Sequence, residues 1–279
     1  MRKLKILPGM MDSFRLWKNP APWFMRQGME GLRALFKVVN LPVIRRFHPW
    51  TQASKTNMYW IPVNKELVKD DSIPLPYAVV ERFIEESSTR VVMDFCGCRK
   101  AYGCEHFPTD VGCLMMGDDA KKIPPQLSRQ VSKEEARAHL QKAVDAGLPP
   151  FIGKARIDNF IFGVPDNGKL LTVCFCCSCC CITDILAQIP HHEREQIIHP
   201  LEGLTIEVAP DECMGCGQCL EDCVLGAIAM EDGTAVISEE CRGCGRCVSS
   251  CPQNAIKISL DNPDFVEQAV ANIRKYVQA

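Results

Sequence analysis

The sequence predicts an α+β fold built around a mixed α/β domain whose loops are rich in cysteine. Three observations support this class: an amphipathic helical pattern near the start, a capping box in the middle, and short strand patterns that lead into the cysteines. The chain has 279 residues, 47% of them hydrophobic, and 18 cysteines. This length suits two domains or one domain with an added module. We expect four segments, at residues 1–60, 61–200, 201–260 and 261–279.

Residues 1–60 predict a basic arm that contains an amphipathic helix. Apolar residues recur from Trp23 to Val39 at helical spacing, with a line of charged residues beside them. The arm holds eleven Lys or Arg and two acids. We expect one of three roles for residues 14–50: peripheral contact with a membrane, docking on a partner subunit, or packing on the protein's own core. No nucleic-acid-binding motif accompanies the charge, so we expect no nucleic-acid partner.

Three patterns predict the order of elements in the middle segment. Residues 77–88 predict a short helix, and residues 91–95 predict a strand that leads into the first cysteines. A capping box at residues 132–135 opens a helix that ends at Gly147. Residues 157–173 predict a hairpin with its turn at Asp-Asn-Gly.

A terminal helix is expected after Pro263. Its apolar residues, from Phe265 to Val277, are spaced to form one face, which indicates packing on the core.

Two cysteine runs repeat at an offset of 28 residues, each with the spacing C-x2-C-x2-C-x3-C. Glycines stand between the cysteines, where a side chain would hinder the tight wrapping of backbone around a metal cluster. The runs are Cys213, Cys216, Cys219, Cys223 and Cys241, Cys244, Cys247, Cys251. Over roughly residues 205–260 this repeat resembles the bacterial-type ferredoxins that carry two [4Fe–4S] clusters.

This resemblance implies a ferredoxin-type two-cluster module of short strands and helices, in which the fourth cysteine of each run binds the other run's cluster. One cluster would then be held by Cys213, Cys216, Cys219 and Cys251, and the other by Cys241, Cys244, Cys247 and Cys223. Pro252 follows the last cysteine as the family pattern requires, but Val224 replaces the first proline. We expect this replacement to loosen a turn and shift a reduction potential without removing a ligand.

Ten further cysteines lie in the middle segment: Cys96, Cys98, Cys104, Cys113, Cys174, Cys176, Cys177, Cys179, Cys180 and Cys181. If the last six are helical, Cys174, Cys177 and Cys181 share one face and Cys176 shares another with Cys179 or Cys180. Ten thiolates exceed the need of two cubanes, so we expect one or two further iron–sulfur clusters, cubane or not, with iron bound through these cysteines. A zinc or copper thiolate site is the alternative.

The paired patterns C-x-C-R and C-x-C-C-x-C-C-C resemble a group of ferredoxin-fused iron–sulfur proteins of anaerobic bacteria and archaea, over roughly residues 75–260. This resemblance implies an electron carrier without implying a substrate. His106, between Cys104 and Cys113, is a further candidate ligand, although hydrogen bonding is the better expectation for it. Arg99 and Lys100 are expected to lower thiol pKa values or to face solvent. Nucleotide-binding glycine loops are missing from the sequence.

We therefore expect a multi-cluster iron–sulfur electron-transfer protein that passes low-potential electrons between the ferredoxin module and the cysteine-rich domain. It would serve a partner redox enzyme within a larger oxidoreductase complex. The absence of an export signal and the number of thiols indicate the cytoplasm of an anaerobe, with possible attachment at the inner membrane face. Two alternatives are a reductase whose middle cluster reduces a disulfide or another small substrate, and a reductive activation factor for a metalloenzyme. No catalytic residue can be named.

Overall fold

The computed structural model describes residues 20–41, 44, 52–64 and 74–279. Within these ranges the centre of the protein is a seven-stranded sheet with strand order β4-β2-β3-β6-β5-β1-β7. The strands are β1 (Thr56–Trp60), β2 (Arg90–Met93), β3 (Leu114–Met116), β4 (Ser128–Gln130), β5 (Pro150–Ala155), β6 (Leu171–Phe175) and β7 (Ile198–His199). Neighbours pair antiparallel, except that β1 and β7 are parallel. Helices and an antiparallel-dominated sheet agree with the predicted α+β class.

Nine α-helices occur in the described ranges. They are α1 (Pro22–Val39), α2 (Ala78–Glu86), α3 (Gly97–Tyr102), α4 (Lys133–Asp145), α5 (Arg156–Phe162), α6 (His191–Arg194), α7 (Gln218–Asp222), α8 (Arg246–Ser250) and α9 (Phe265–Arg274). Short 3₁₀ helices lie at Ala120–Lys122, Ile182–Gln188 and Pro210–Glu212. Four more strands, β8 (Leu204–Val208), β9 (Ile228–Glu231), β10 (Thr234–Ile237) and β11 (Ile256–Leu260), form two antiparallel pairs, β8 with β11 and β9 with β10.

Both faces of the large sheet pack against apolar cores. Each strand contributes to both, because its successive side chains point to opposite sides. On β5, Ile152 packs with α2, α4 and α9 in one core, whereas Phe151 packs with Trp60 in a second core. On β2, Val92 joins the first core, and Val91 points to the other side. The sheet therefore separates two apolar cores, and cysteines of the loops are buried in both.

Several sequence predictions are confirmed. The structure contains the helix expected at residues 77–88, the strand expected at residues 91–95 and the terminal helix. The capping box is complete, since the Ser132 hydroxyl accepts from the Glu135 N–H and the Glu135 carboxylate accepts from the Ser132 N–H.

The hairpin expected at residues 157–173 is wrong. Residues 156–162 form α5, which ends at Gly163 in the left-handed conformation. Strand β6 then pairs with β3 and β5 instead of folding back on this segment. Asp166, from the expected turn, is drawn inward by ion pairs with Lys55 at 2.8 Å and Lys154 at 3.2 Å. These long-range pairs replace the local turn.

Helix α1 forms as predicted and packs on the protein itself. Its buried residues are Met25, Phe36 and Val39, and Arg33 contacts Asp184 at 3.1 Å. Partner docking and membrane contact remain predictions for the arm. Residues 14–19, 42, 43 and 45–50 of the candidate contact segment lie outside the described residues. None of the helices in the described ranges has the length and apolar character needed to cross a bilayer.

Candidate metal centres

The two cysteine runs adopt the same local structure. Helices α7 and α8 begin after Gly217 and Gly245, whose φ angles are 75° and 72°. In each half, a backbone N–H reaches the sulfur of the fourth cysteine: Ala227 N lies 3.2 Å from Cys223 Sγ, and Ala255 N lies 3.2 Å from Cys251 Sγ. Such N–H groups stabilise a negatively charged sulfur.

Each of these halves borders a cavity, and the fourth cysteine of each run faces the other run's cavity. The first cavity is lined by Cys213, Cys216, Cys219 and Cys251. The second is lined by Cys223, Cys241, Cys244 and Cys247. The eight thiols thus lie in the two sets named from the sequence. Their role as ligands stays a prediction.

The two cavities differ in their surroundings. Cys216 of the first is exposed, and the neighbouring Met214 is 64% exposed. N–H groups of Ala235 and Gly215 lower the pKa of Cys213. The first cavity therefore opens to the outside of the protein.

Around the second cavity, burial raises the pKa values of Cys241, Cys244 and Cys247. Its lining also includes Trp60 of the large sheet, whose side chain is completely buried. The second cavity thus faces the interior, where the two cysteine runs meet the large sheet.

The ten middle cysteines separate into two groups. The first, called the compact group, consists of Cys104, Cys177, Cys179 and Cys180, whose sulfurs all lie within 4.8 Å of one another. Cys179 Sγ lies 3.5 Å from the sulfurs of both Cys104 and Cys180. A tetrahedral ion with metal–sulfur bonds of about 2.3 Å places its sulfurs about 3.8 Å apart. The compact group thus has the dimensions of a site for one tetrahedral metal ion.

The second, called the interior group, has six members: Cys96, Cys98, Cys113, Cys174, Cys176 and Cys181. Each is buried or half-buried. Hydrogen bonds join Cys96 to Cys98, Cys98 to Cys181, and Cys181 to Cys176. Cys113 Sγ lies 3.5 Å from Cys174 Sγ.

Thiol hydrogen bonding perturbs the acidities within the interior group. The bond from Cys98 lowers the pKa of Cys96 to about 7. Bonds from Cys176 and Cys98 lower the pKa of Cys181 well below its usual range. A thiol that deprotonates easily is a ready metal ligand, because metal binding requires the thiolate.

The helical arrangement expected for the cysteine run is wrong. Strand β6 extends to Phe175, so the run starts with the alternation of a strand. Cys174 and Cys176 lie on the Trp60 side of the sheet, whereas Cys177 and Cys180 lie in the core on the opposite side. Strand alternation accounts for Cys174 and Cys176 alone, and the irregular segment and turn after β6 carry Cys177, Cys179 and Cys180 to the compact group.

Arg99 holds the two cysteine-bearing segments together. Its side chain is completely buried and donates to the carbonyl oxygens of Pro108 at 2.8 Å, Phe175 at 2.7 Å and Val111. These bonds fix α3, which carries Cys98, to the end of β6. The solvent-facing alternative is therefore wrong for Arg99. Lys100 lies over the Phe95 ring at 3.9 Å.

His106 is exposed and lies outside the compact group. No sequence pattern selects Trp60, Phe151 or Arg246, and the structure places all three between the second cavity and the interior group. Only long-range contacts reveal them.

The comparison with known families gives one match. The family model described as a 4Fe-4S binding domain matches residues 234–257, which include all four cysteines of the second run. These residues are similar to a 4Fe-4S binding domain, and the match indicates binding of a 4Fe-4S cluster through the second cysteine run. No curated protein and no solved structure matches the chain significantly.

Proposed function

We propose that this chain is a multi-cluster iron–sulfur electron-transfer protein. It would pass low-potential electrons between two [4Fe–4S] clusters in residues 201–260 and an iron–sulfur cluster at the interior group in residues 61–200, for a partner redox enzyme. The observation that carries the proposal is one apolar cluster that touches both sites. Trp60 and Cys176 belong to it, and Cys244 and Cys174 pack against it.

The register of the sheet supports a short path between these sites. Trp60 pairs with Phe151 across β1 and β5, and Phe151 pairs with Cys174 across β5 and β6. Directly paired residues point to the same face of a sheet. The Trp60 and Phe151 rings are stacked with centroids 4.2 Å apart. Side chains in contact therefore lead from the second cavity to the interior group.

The first cavity is suited to exchange with a partner. It opens to the outside, and residues 202–264 contain twelve acids against three basic residues. Such an acidic face attracts a basic partner surface and speeds its association. In this proposal the exposed cluster meets the partner, and the buried cluster meets the interior group. We further infer that the protein works inside an anaerobic cell, because thiolates such as these oxidise readily.

Iron and sulfide analysis of the anaerobically purified protein, with EPR after reduction, tests the proposal. Two cubanes contribute about eight irons, and a further cluster raises the total to about twelve. We expect the higher value, and we expect the Cys174→Ser/Cys176→Ser variant to lose iron while keeping its ferredoxin signals. A wild-type protein with about eight irons and only cubane signals would contradict a cluster at the interior group. The compact group is expected to add one zinc or iron ion.

One observation favours the reductase alternative. The interior group has six thiols, two more than one cubane needs, and the surplus suits a non-cubane cluster or a reactive dithiol. Turnover of a disulfide with a low-potential donor and no other protein would support this alternative. Absence of turnover, together with rapid electron exchange with a redox partner, would support the carrier.

A further inference from the structure

Arg246 is a buried cation without a hydrogen-bond partner among the described residues. Arg246 is the first residue of α8 and stands between Cys244 and Cys247 in the sequence. The residue is only 8% exposed. All three guanidinium nitrogens are buried, and none donates to a protein acceptor. The guanidinium lies over the Trp60 ring, 4.8 Å from its centroid. Because a buried charge without a partner is strongly unfavourable, this arrangement requires an anion beside it.

A second buried donor lies at the same place. Trp60 is completely buried, and its indole Nε1–H has no acceptor in the described part of the chain. The Arg246 guanidinium and the Trp60 indole N–H are thus neighbouring hydrogen-bond donors without an acceptor. Their position indicates a negatively charged acceptor beside them. Sulfides and thiolates of an iron–sulfur cluster are acceptors of this kind.

Thiols of both sites lie near the guanidinium. Cys176, of the interior group, shares an apolar cluster with Trp60, whose ring the guanidinium covers. Cys244, of the second cavity, packs against the same cluster and stands two residues before Arg246. A positive charge at this place stabilises negative charge in both sites.

The other buried arginines of this region already have partners. Arg242, also 8% exposed, donates to the carbonyl oxygens of Glu239 at 2.8 Å and Cys241 at 2.9 Å. Arg194 is paired with Glu240. Arg246 thus differs from its neighbours in having its charge directed at the two thiol sites.

We propose that Arg246 is the shared counter-ion of two anionic iron–sulfur centres, the [4Fe–4S] cluster at Cys223, Cys241, Cys244 and Cys247 and a polynuclear cluster at the interior group. This inference rests on the proposed function and assigns the buried ferredoxin cluster as the direct electron partner of the interior group. In the transfer, one centre loses one electron and the other gains it, with no proton moved. A cation between them stabilises the reduced form of each, so it raises both reduction potentials.

The test is an anaerobic EPR redox titration of the full chain with its clusters, comparing three variants. Arg246→Gln removes the charge with little change in size, and Arg246→Lys keeps it. Arg242→Gln removes a charge that lines the second cavity. For Arg246→Gln we expect the reduced-to-oxidised ratio of both centres to fall about tenfold at fixed potential, which is about 59 mV for one electron. Arg246→Lys should restore much of this shift. Arg242→Gln should shift the ferredoxin centre alone.

A shift of the ferredoxin centre alone in Arg246→Gln, or of neither centre, would overturn the inference. A second measurement needs no variant: if the centres are neighbours, the wild-type EPR spectrum should show spin–spin broadening when both are reduced. Two independent, unbroadened signals would also overturn it. Failure of the proposed function is distinguishable, because then the wild-type protein would show no interior-group signal at all.

Discussion

The matched glycines Gly217 and Gly245 offer a direct test of how the segment with the two cysteine runs is joined to the sheet. Both have positive φ angles, 75° and 72°, at equivalent positions in the repeat. An added β-carbon at Gly217 would meet no atom within 4 Å, whereas at Gly245 it would lie 2.2 Å from Asn64 Oδ1 and 3.1 Å from Pro62 Cβ. Both alanine variants therefore carry the same free-energy cost of a left-handed backbone. Only the variant at Gly245 also crowds residues 61–64.

The magnitude follows from these contacts. A left-handed conformation costs an alanine about 1 kcal/mol relative to glycine, so Gly217→Ala should lower the free energy of unfolding by about that amount. In Gly245→Ala, Asn64 must also turn away, which breaks its 2.8 Å bond to Ser249 Oγ. Loss of this bond costs about 1 kcal/mol, and crowding against Pro62 adds to it. We expect a total of about 2–3 kcal/mol.

The assay is anaerobic urea denaturation followed by cluster absorbance, with hydrogen exchange of residues 61–64 measured in parallel. Gly245→Ala should lose its absorbance at a lower urea concentration than Gly217→Ala, and only Gly245→Ala should exchange faster at residues 61–64. Equal urea midpoints and equal exchange in the two variants would refute the contact between this loop and α8.

Three further predictions follow from single contacts. Arg99→Lys cannot reach all three carbonyl oxygens, so it should lower stability by about 3 kcal/mol and release middle-segment iron while the ferredoxin EPR signal stays; unchanged iron would contradict the bridging role. Burial lowers the pKa of His139, which bonds Gly112 O at 2.7 Å. The folded state therefore binds fewer protons than the unfolded state, and stability should fall as pH drops below 6.5; His139→Gln should flatten that decline in urea titrations. Ser132→Ala removes the cap of α4 and should cost about 1 kcal/mol with no change in iron content; a loss of iron would show that α4 supports the thiol groups.

Most of the helices and the two sets of cysteines that line the two cavities could be predicted because their signals are local. A capping box needs four consecutive residues, and each of the two repeated runs places its cysteines within eleven. The partition of the middle cysteines depends on where β6 ends and on how the turn after it meets the distant segment that carries Cys104. Both depend on long-range pairing of the strands, which no local pattern encodes. The same limitation explains the wrong hairpin at residues 157–173, where ion pairs of Asp166 with distant lysines decide the path of the chain.

Trp60 and Arg246 illustrate the limit most clearly. They are separated by almost the whole cysteine-bearing sequence. Trp60 belongs to no recognisable motif, and Arg246 stands at a variable position of the second cysteine run. Arg246 looks like a surface residue of an acidic module in the sequence. Its burial arises only because the second cavity is closed by a strand from the other end of the chain.

The packing of α1 on α3 has a chemical consequence for the thiols beneath it. A β-carbon at Gly97, between Cys96 and Cys98, would lie 3.5 Å from Met29 Cε and 3.7 Å from Met25 Cε. An oxidant that approaches from this side thus meets two thioethers before it meets a thiolate. Methionine sulfoxide can be reduced back enzymatically, whereas sulfonic acid at a cysteine is permanent. We expect the two thioether sulfurs to act as a renewable barrier to oxidation beside cysteines whose full oxidation is permanent.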